Sequence, residues 1–167
     1  MVLSEKVAAI APSLTLSITA KAKQMKQEGI SVIGFGAGEP DFNTPDYIIE
    51  SAKHALDIGF TKYTPASGMP ELKEAIVRKF KEDNGLTYAP GQIVVSCGAK
   101  SSLYHAIASL LNDGDEVLIP SPYWLTYPEL VRLAGGVSVF VPAKKERDYK
   151  VTAGDLARHT TAKTKLL

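Results

Sequence analysis

Residues 97–102 read CGAKSS, between the β-branched run QIVV and the amphipathic stretch SLYHAIASLL. A strand feeding a helix through a small-residue turn leaves the first helical N–H groups unpaired. It also aims the positive end of the helix dipole outward. The amides of Ala99, Lys100 and Ser101 are therefore chemically suited to a phosphate. A plain strand-to-helix turn needs the same residues, and the segment alone permits both readings. Two nucleotide signatures fit poorly: Ala99 separates Gly98 from Lys100 with no earlier glycine at P-loop spacing, and a dinucleotide turn would need more than Gly98.

Other residues could join such a site. In GFGAGEP (34–40) the glycines would let a ligand approach the backbone, or simply permit a sharp loop. SPYW (121–124) places the single tryptophan, Trp124, after an apolar strand, where open α/β sheets put ligands; its ring could stack on a flat cofactor or pack under the next helix. Tyr63 in KYTPASG could donate to an anion or sit in a surface turn. Cys97 reads as a small buried residue ending a strand. Lys21, Lys23, Lys26, Lys73, Glu74, Lys79 and Lys81 read as solvated helix faces.

Helix and strand signals alternate around these residues. A helix is expected over 13–28, with Ser13 or Thr15 as cap and Gly29 as stop, and others over 45–58, 70–84, 101–111, 127–134 and about 153–160. Strands are expected at about 31–36 and at 92–97, 116–120 and 137–142. A last strand begins in TAKTKLL (161–167). The alternation predicts βαβ units and a mostly parallel, helix-covered sheet, with IVVSC and VSVFV buried on both faces.

Composition narrows the function classes. The chain has 167 residues, 45% hydrophobic and 22% charged, with a formal net charge of +1, so it carries no electrostatic footprint for nucleic acid or an anionic membrane. No apolar run approaches the roughly 20 residues of a membrane span, and the first residues do not form a signal-peptide pattern. One cysteine cannot form an intrachain disulfide, and His54, His105 and His159 have no metal-ligand spacing. The expectation is a cytoplasmic protein without a metal. A domain seldom stops just inside an apolar strand, so the chain is expected to be the N-terminal piece of something longer.

In order and spacing, AGEPDFNTP, KYTPASGMPELKEAI, GAKSSLYHAI and DGDEVLIPSPYWLTYPELVRLAGG resemble the class I aminotransferases that use pyridoxal 5'-phosphate (PLP), nearest the bacterial aspartate aminotransferase branch. The resemblance covers essentially the whole chain. It implies an α/β fold: a partial three-layer α/β/α large domain of the PLP-dependent transferase fold (fold type I), with a mostly parallel sheet truncated at the C-terminus. Residues 1–44 would be an N-terminal arm and helix contacting the small domain and the dimer partner, and 45–167 the first part of the PLP-binding domain.

The resemblance also implies roles for individual residues. Gly98, Ala99 and Lys100 match the turn that holds the PLP phosphate, and Trp124 the aromatic stacked on the cofactor ring and lining the substrate site. Tyr63 matches the tyrosine that reaches the phosphate of the neighbouring subunit's cofactor, implying a homodimer with shared active sites. Gly38 matches the glycine whose backbone meets the substrate α-carboxylate. Ser13, Thr15 and Lys100 stand at positions associated with the distal carboxylate of aspartate or glutamate. Members that also transaminate prephenate tend to carry a basic residue where this sequence has Ala11, which argues against that activity here.

The implied reaction is ping-pong amino transfer between an acidic amino acid and a 2-oxo acid. No lysine in this sequence matches the family's Schiff-base lysine, because Lys100 stands at the phosphate turn. Two other readings stay open on the residues: a nucleotide- or phosphate-binding α/β enzyme, and a non-catalytic segment that self-associates through a sheet edge. The 167-residue chain by itself is expected to show no enzyme-like conversion of aspartate and 2-oxoglutarate. A coupled assay on the purified chain checks this, and sustained turnover would refute it.

Overall fold

In a computed structural model, which describes residues 3–36 and 38–167, the packing divides the chain into two units. Leu14–Val95 form one; the residues up to Ser13 and Ser96–Leu167 form the other. This partition differs from the expected boundary after residue 44, which concerns arm and domain rather than packing.

The second unit holds the sheet. β1 (Glu116–Ser121), β2 (Val137–Pro142) and β3 (Thr164–Leu166) are all parallel, in the order β2–β1–β3. β1 and β2 pair in register from Glu116↔Val137 to Ser121↔Pro142. β3 is short, and its register slips at Glu116 and Val117. Thr161 and Thr164 donate their hydroxyls to Glu116 Oε2 at 2.6 and 3.3 Å, fastening β3 to the start of β1.

Parallel strands need crossovers, and the helices supply them. α5 (Ala99–Leu110) leads into β1, α6 (Thr126–Leu133) joins β1 to β2, and α7 (Ala153–His159) joins β2 to β3. The core forms where their apolar faces meet: Leu111, Val117, Ile119 and Val131 pack together, with Ile107, Ala134 and Leu166 against them. Val117, Leu118 and Ile119 are all buried, so β1 is covered on both faces. β2 is not. It is an edge strand, and contrary to the two-sided burial expected of VSVFV only Val141 is buried while Val137 and Phe140 stay half exposed. At the N-terminal side α1 (Glu5–Ala8) lies against α6, where Arg132 donates to the Ala9 carbonyl.

The other unit is helical: α2 (Leu14–Gln27), α3 (Asp46–Asp57) and α4 (Pro70–Asn84). The expected helices form, within a residue or two at their ends. Proline opens α4, and α3 begins just after Pro45, because proline fixes φ where no N–H partner exists. The strands expected at 31–36 and 92–97 do not form. Pro90–Gln92 make a 3-10 turn, and Ile93 is extended, but the Val95 amide donates to the Ser67 carbonyl rather than into a ladder. Extended backbone without a neighbouring strand is not a sheet. Cys97 accordingly ends no strand and is exposed, not buried. Lys73, expected on a solvated face, is half-buried and bonded to Ser67. Among the described residues no helix is long and apolar enough to cross a membrane, and no cluster of His, Cys, Asp and Glu could hold a metal.

One ionic cluster closes the β2–β3 crossover. Asp155, which is buried, accepts from the Thr152 amide at 2.9 Å and hydroxyl at 2.8 Å, and pairs with Arg147 at 2.9 Å and with Arg158. The Thr152 amide, then its hydroxyl, with Arg147 behind them, hold the Asp155 carboxyl well below the usual carboxylate range, although burial opposes them. A carboxyl held ionised in the folded state binds fewer protons there than in the unfolded chain. Its stabilisation is therefore present above the unfolded pKa of about 4 and drains away as pH falls further. Asp155→Asn is expected to lower the thermal midpoint at neutral pH and to flatten its fall between about pH 5 and 2. Melts followed by circular dichroism across that range test both.

Candidate functional site

Gly98 caps α5 from φ 80° and ψ 164°, a region that only glycine occupies without strain, and no side chain caps the helix. The amides of Ser101 and Ser102 turn back to the Gly98 carbonyl at 3.1 and 3.3 Å. The amides of Ala99 and Lys100 donate to no acceptor among the described residues. A Cβ at Gly98 would meet nothing within 4 Å, so the space in front of this turn is open. Two free donors, a positive helix end and a turn without a side chain fit a phosphate dianion. Lys100 is exposed and pairs with no carboxylate among the described residues.

Trp124 follows β1 just before α6, with its carbonyl accepting from the Tyr127 amide at 3.1 Å. Residues 111–115 join α5 to β1, and Leu103 near the start of α5 shares a cavity lining with Pro120 near the end of β1. A cavity of about 550 Å³ runs between them, lined by Leu103, Ile107, Val117, Ile119, Trp124 and Leu166 among others. Its walls are apolar, while the unpaired amides and Lys100 stand at the start of α5. Trp124 is 51% exposed, so it does not pack fully beneath α6 and keeps surface available for a flat ring. Tyr123 is committed elsewhere, stacked on Phe140 at 4.9 Å between ring centres.

Gly98, Ala99, Lys100 and Trp124 therefore belong to one packed unit, as does Ser13. Gly38, Tyr63 and Thr15 belong to the other. Tyr63 projects entirely into solvent from the coil between α3 and α4. Gly38 lies in coil with open space at its Cα, and its neighbour Ala37 falls outside the described residues. Thr15 sits in the first turn of α2 and Ser13 directly precedes it. Sequence reasoning missed the contact of Lys73 with Ser67; the pairing of a helix lysine with a serine in the preceding loop, i and i+6, was its only trace.

A family model for aminotransferase class I and II matches residues 30–167, and the chain belongs to that family. It is 55% identical over 163 residues to the aspartate aminotransferase of Bacillus sp. (strain YM-2), covering 98% of this chain and 42% of that protein. A probable aspartate/prephenate aminotransferase of Aquifex aeolicus is 51% identical over 165 residues, covering 99% and 42%. Among solved structures, the Thermus thermophilus aspartate aminotransferase with maleate superposes with a TM-score of 0.95 at 42% identity, covering 99% of this chain and 44% of that one. The chain thus spans about two fifths of the length of these relatives, and its fold is the corresponding part of theirs.

Gly98→Ala isolates the backbone requirement of the turn, because the new methyl meets no atom. Forcing alanine into that conformation costs on the order of 1–3 kcal/mol. The variant is expected to melt lower than the parent, while Gly91→Ala, at an open glycine with ordinary φ, melts close to it. Equal midpoints for the two variants would overturn the argument.

Proposed function

We propose that this chain carries the phosphate-holding half of the active site of a PLP-dependent aminotransferase. The complete protein exchanges an amino group between aspartate, or another acidic amino acid, and a 2-oxo acid. The observation that carries the reading is the Gly98 turn, with two unpaired amides at a helix start and a half-exposed tryptophan after the strand that follows. Bound there, PLP would supply an electron sink for breaking the bond between the substrate α-carbon and its proton.

The residues divide the work of binding. The Ala99 and Lys100 amides, with the α5 dipole behind them, hold the phosphate, and Gly98 keeps a side chain out of its way. Trp124 presents a ring face to the cofactor and excludes water from one side of it. The Lys100 ammonium meets the distal carboxylate of the substrate, helped by Ser13 and Thr15, and the Gly38 backbone meets the α-carboxylate. Tyr63 donates its hydroxyl to the phosphate held by a second copy of the chain. Residues 1–44 serve as arm and dimer contact and 45–167 as the start of the cofactor domain, in a cytoplasmic homodimer. Phe35, Phe42 and Tyr47, all largely exposed in the same unit as Tyr63, supply apolar surface for such an association.

The test uses the complete gene product. Adding PLP is expected to give the visible absorbance of a protein-bound pyridoxal and transamination of aspartate. Lys100→Met is expected to raise KM for aspartate by about tenfold or more, the scale of a lost charge-assisted bond, while leaving KM for alanine nearly unchanged. A complete product that binds no PLP, or a Lys100→Met variant with equal losses on both donors, would refute the reading.

A further inference from the structure

Tyr63 lies on a loop whose two ends are tied in different ways. At the α3 end, the Phe60 amide donates to the Ala55 carbonyl at 2.9 Å and the Thr61 amide to the Gly59 carbonyl at 2.7 Å. At the α4 end, the Gly68 amide donates to the Pro65 carbonyl at 2.9 Å, and the Ser67 carbonyl accepts from the Val95 amide at 3.0 Å. Gly68 stands at φ 106° with its Cα pressed to Val95; a Cβ there would fall 2.6 Å from Val95 Cγ2. Only glycine fits.

Lys73 completes this end. From the first turn of α4 its half-buried ammonium reaches back to donate to Ser67 Oγ at 2.9 Å. It makes no ion pair with a carboxylate among the described residues. Ordering a long lysine side chain costs up to about 2 kcal/mol of rotamer freedom. One bond from the ammonium to a hydroxyl returns a comparable amount. As a contribution to stability the contact is therefore close to neutral. Its effect is geometric: it fixes Ser67 four residues from Tyr63. The link between them is stiff, because Pro65 has a fixed φ and Thr64, preceding a proline, is restricted to extended backbone.

We propose that Lys73, acting through Ser67, is a positioning residue for Tyr63, holding the loop at 61–69 so that the tyrosine hydroxyl is presented in one place to a partner-bound phosphate. This rests on the reading of Tyr63 as a phosphate ligand. A hydroxyl on a solvent-exposed loop binds weakly if the loop must be ordered on each encounter, and prior ordering removes that cost.

The experiment uses the complete protein with Lys73→Met, Lys73→Arg, Ser67→Ala and Tyr63→Phe, and two readouts. The first is amide hydrogen exchange over 61–69 without cofactor; the second is the PLP dissociation constant by equilibrium dialysis. Lys73→Met and Ser67→Ala are expected to speed exchange in the loop and to weaken PLP binding about 3- to 10-fold. Lys73→Arg, which keeps a donor, is expected to restore most of both. Combined with Tyr63→Phe, Lys73→Met is expected to add less than about twofold, since a residue acting through Tyr63 has nothing left to position.

Unchanged loop exchange, or an equal loss of affinity with and without Tyr63, would overturn the proposal. If Tyr63→Phe weakens binding while Lys73→Met and Ser67→Ala do not, the positioning role alone fails. If Tyr63→Phe binds PLP as the parent does, the role given to Tyr63 fails and the positioning role falls with it.

Discussion

Val117, Leu118 and Ile119 are buried one after another, so β1 must be covered on both faces and flanked on both edges. That requirement organises the unit from Ser96 to Leu167. β2 and β3 supply the edges, and α5 and α6 bring Ile107 and Val131 to the buried side chains. α5 joins β1 through residues 111–115, and covering the strand brings Leu103, near the start of the helix, into the same cavity lining as Trp124. The phosphate-compatible turn and the aromatic face are thus consequences of burying one strand. Neither residue type alone would bring them together.

The unit from Leu14 to Val95 is built differently. Its three helices bury no residue completely, and its loops are held by single backbone bonds and by close approaches such as Gly68 against Val95. Local contacts suffice to shape the chain but leave Phe35, Phe42 and Tyr63 in solvent. A unit of this kind presents residues outward, whereas the sheet unit draws them in. The division of roles proposed above, with the cofactor's phosphate on one unit and the reaching tyrosine on the other, follows that physical difference.

Much of this was legible in the sequence where the signal is local. Pro70 at the start of α4 and Gly85 in the left-handed conformation at its end are marks that a single chain carries openly. β1 and β2 were legible from their apolar runs. The run IVVSC has the same character, yet it forms no strand, because strand formation depends on a neighbour that periodicity cannot name. For the same reason Cys97 lies exposed and β2 is an edge. The Gly98 turn is ambiguous taken alone, and it is the order of four separated motifs, not the turn, that points to the family. Lys73 was misread as solvated because the helical pattern records which face a residue is on, but not what the preceding loop places above it.

The pairing order of the sheet has a consequence for synthesis. Glu116 meets Val137 on one side and Thr164 on the other, so β1 is half paired for the whole interval in which the β2–β3 crossover is being made. Until Leu166 arrives, the cavity wall it contributes beside Val117 and Trp124 is missing, and apolar strand surface faces water. A ribosome adds about 5–20 residues per second, so that interval lasts seconds rather than microseconds. Completion of this cavity therefore waits on β3, and the nascent chain passes through a stage in which apolar strand surface is open to chaperones before the cavity has closed.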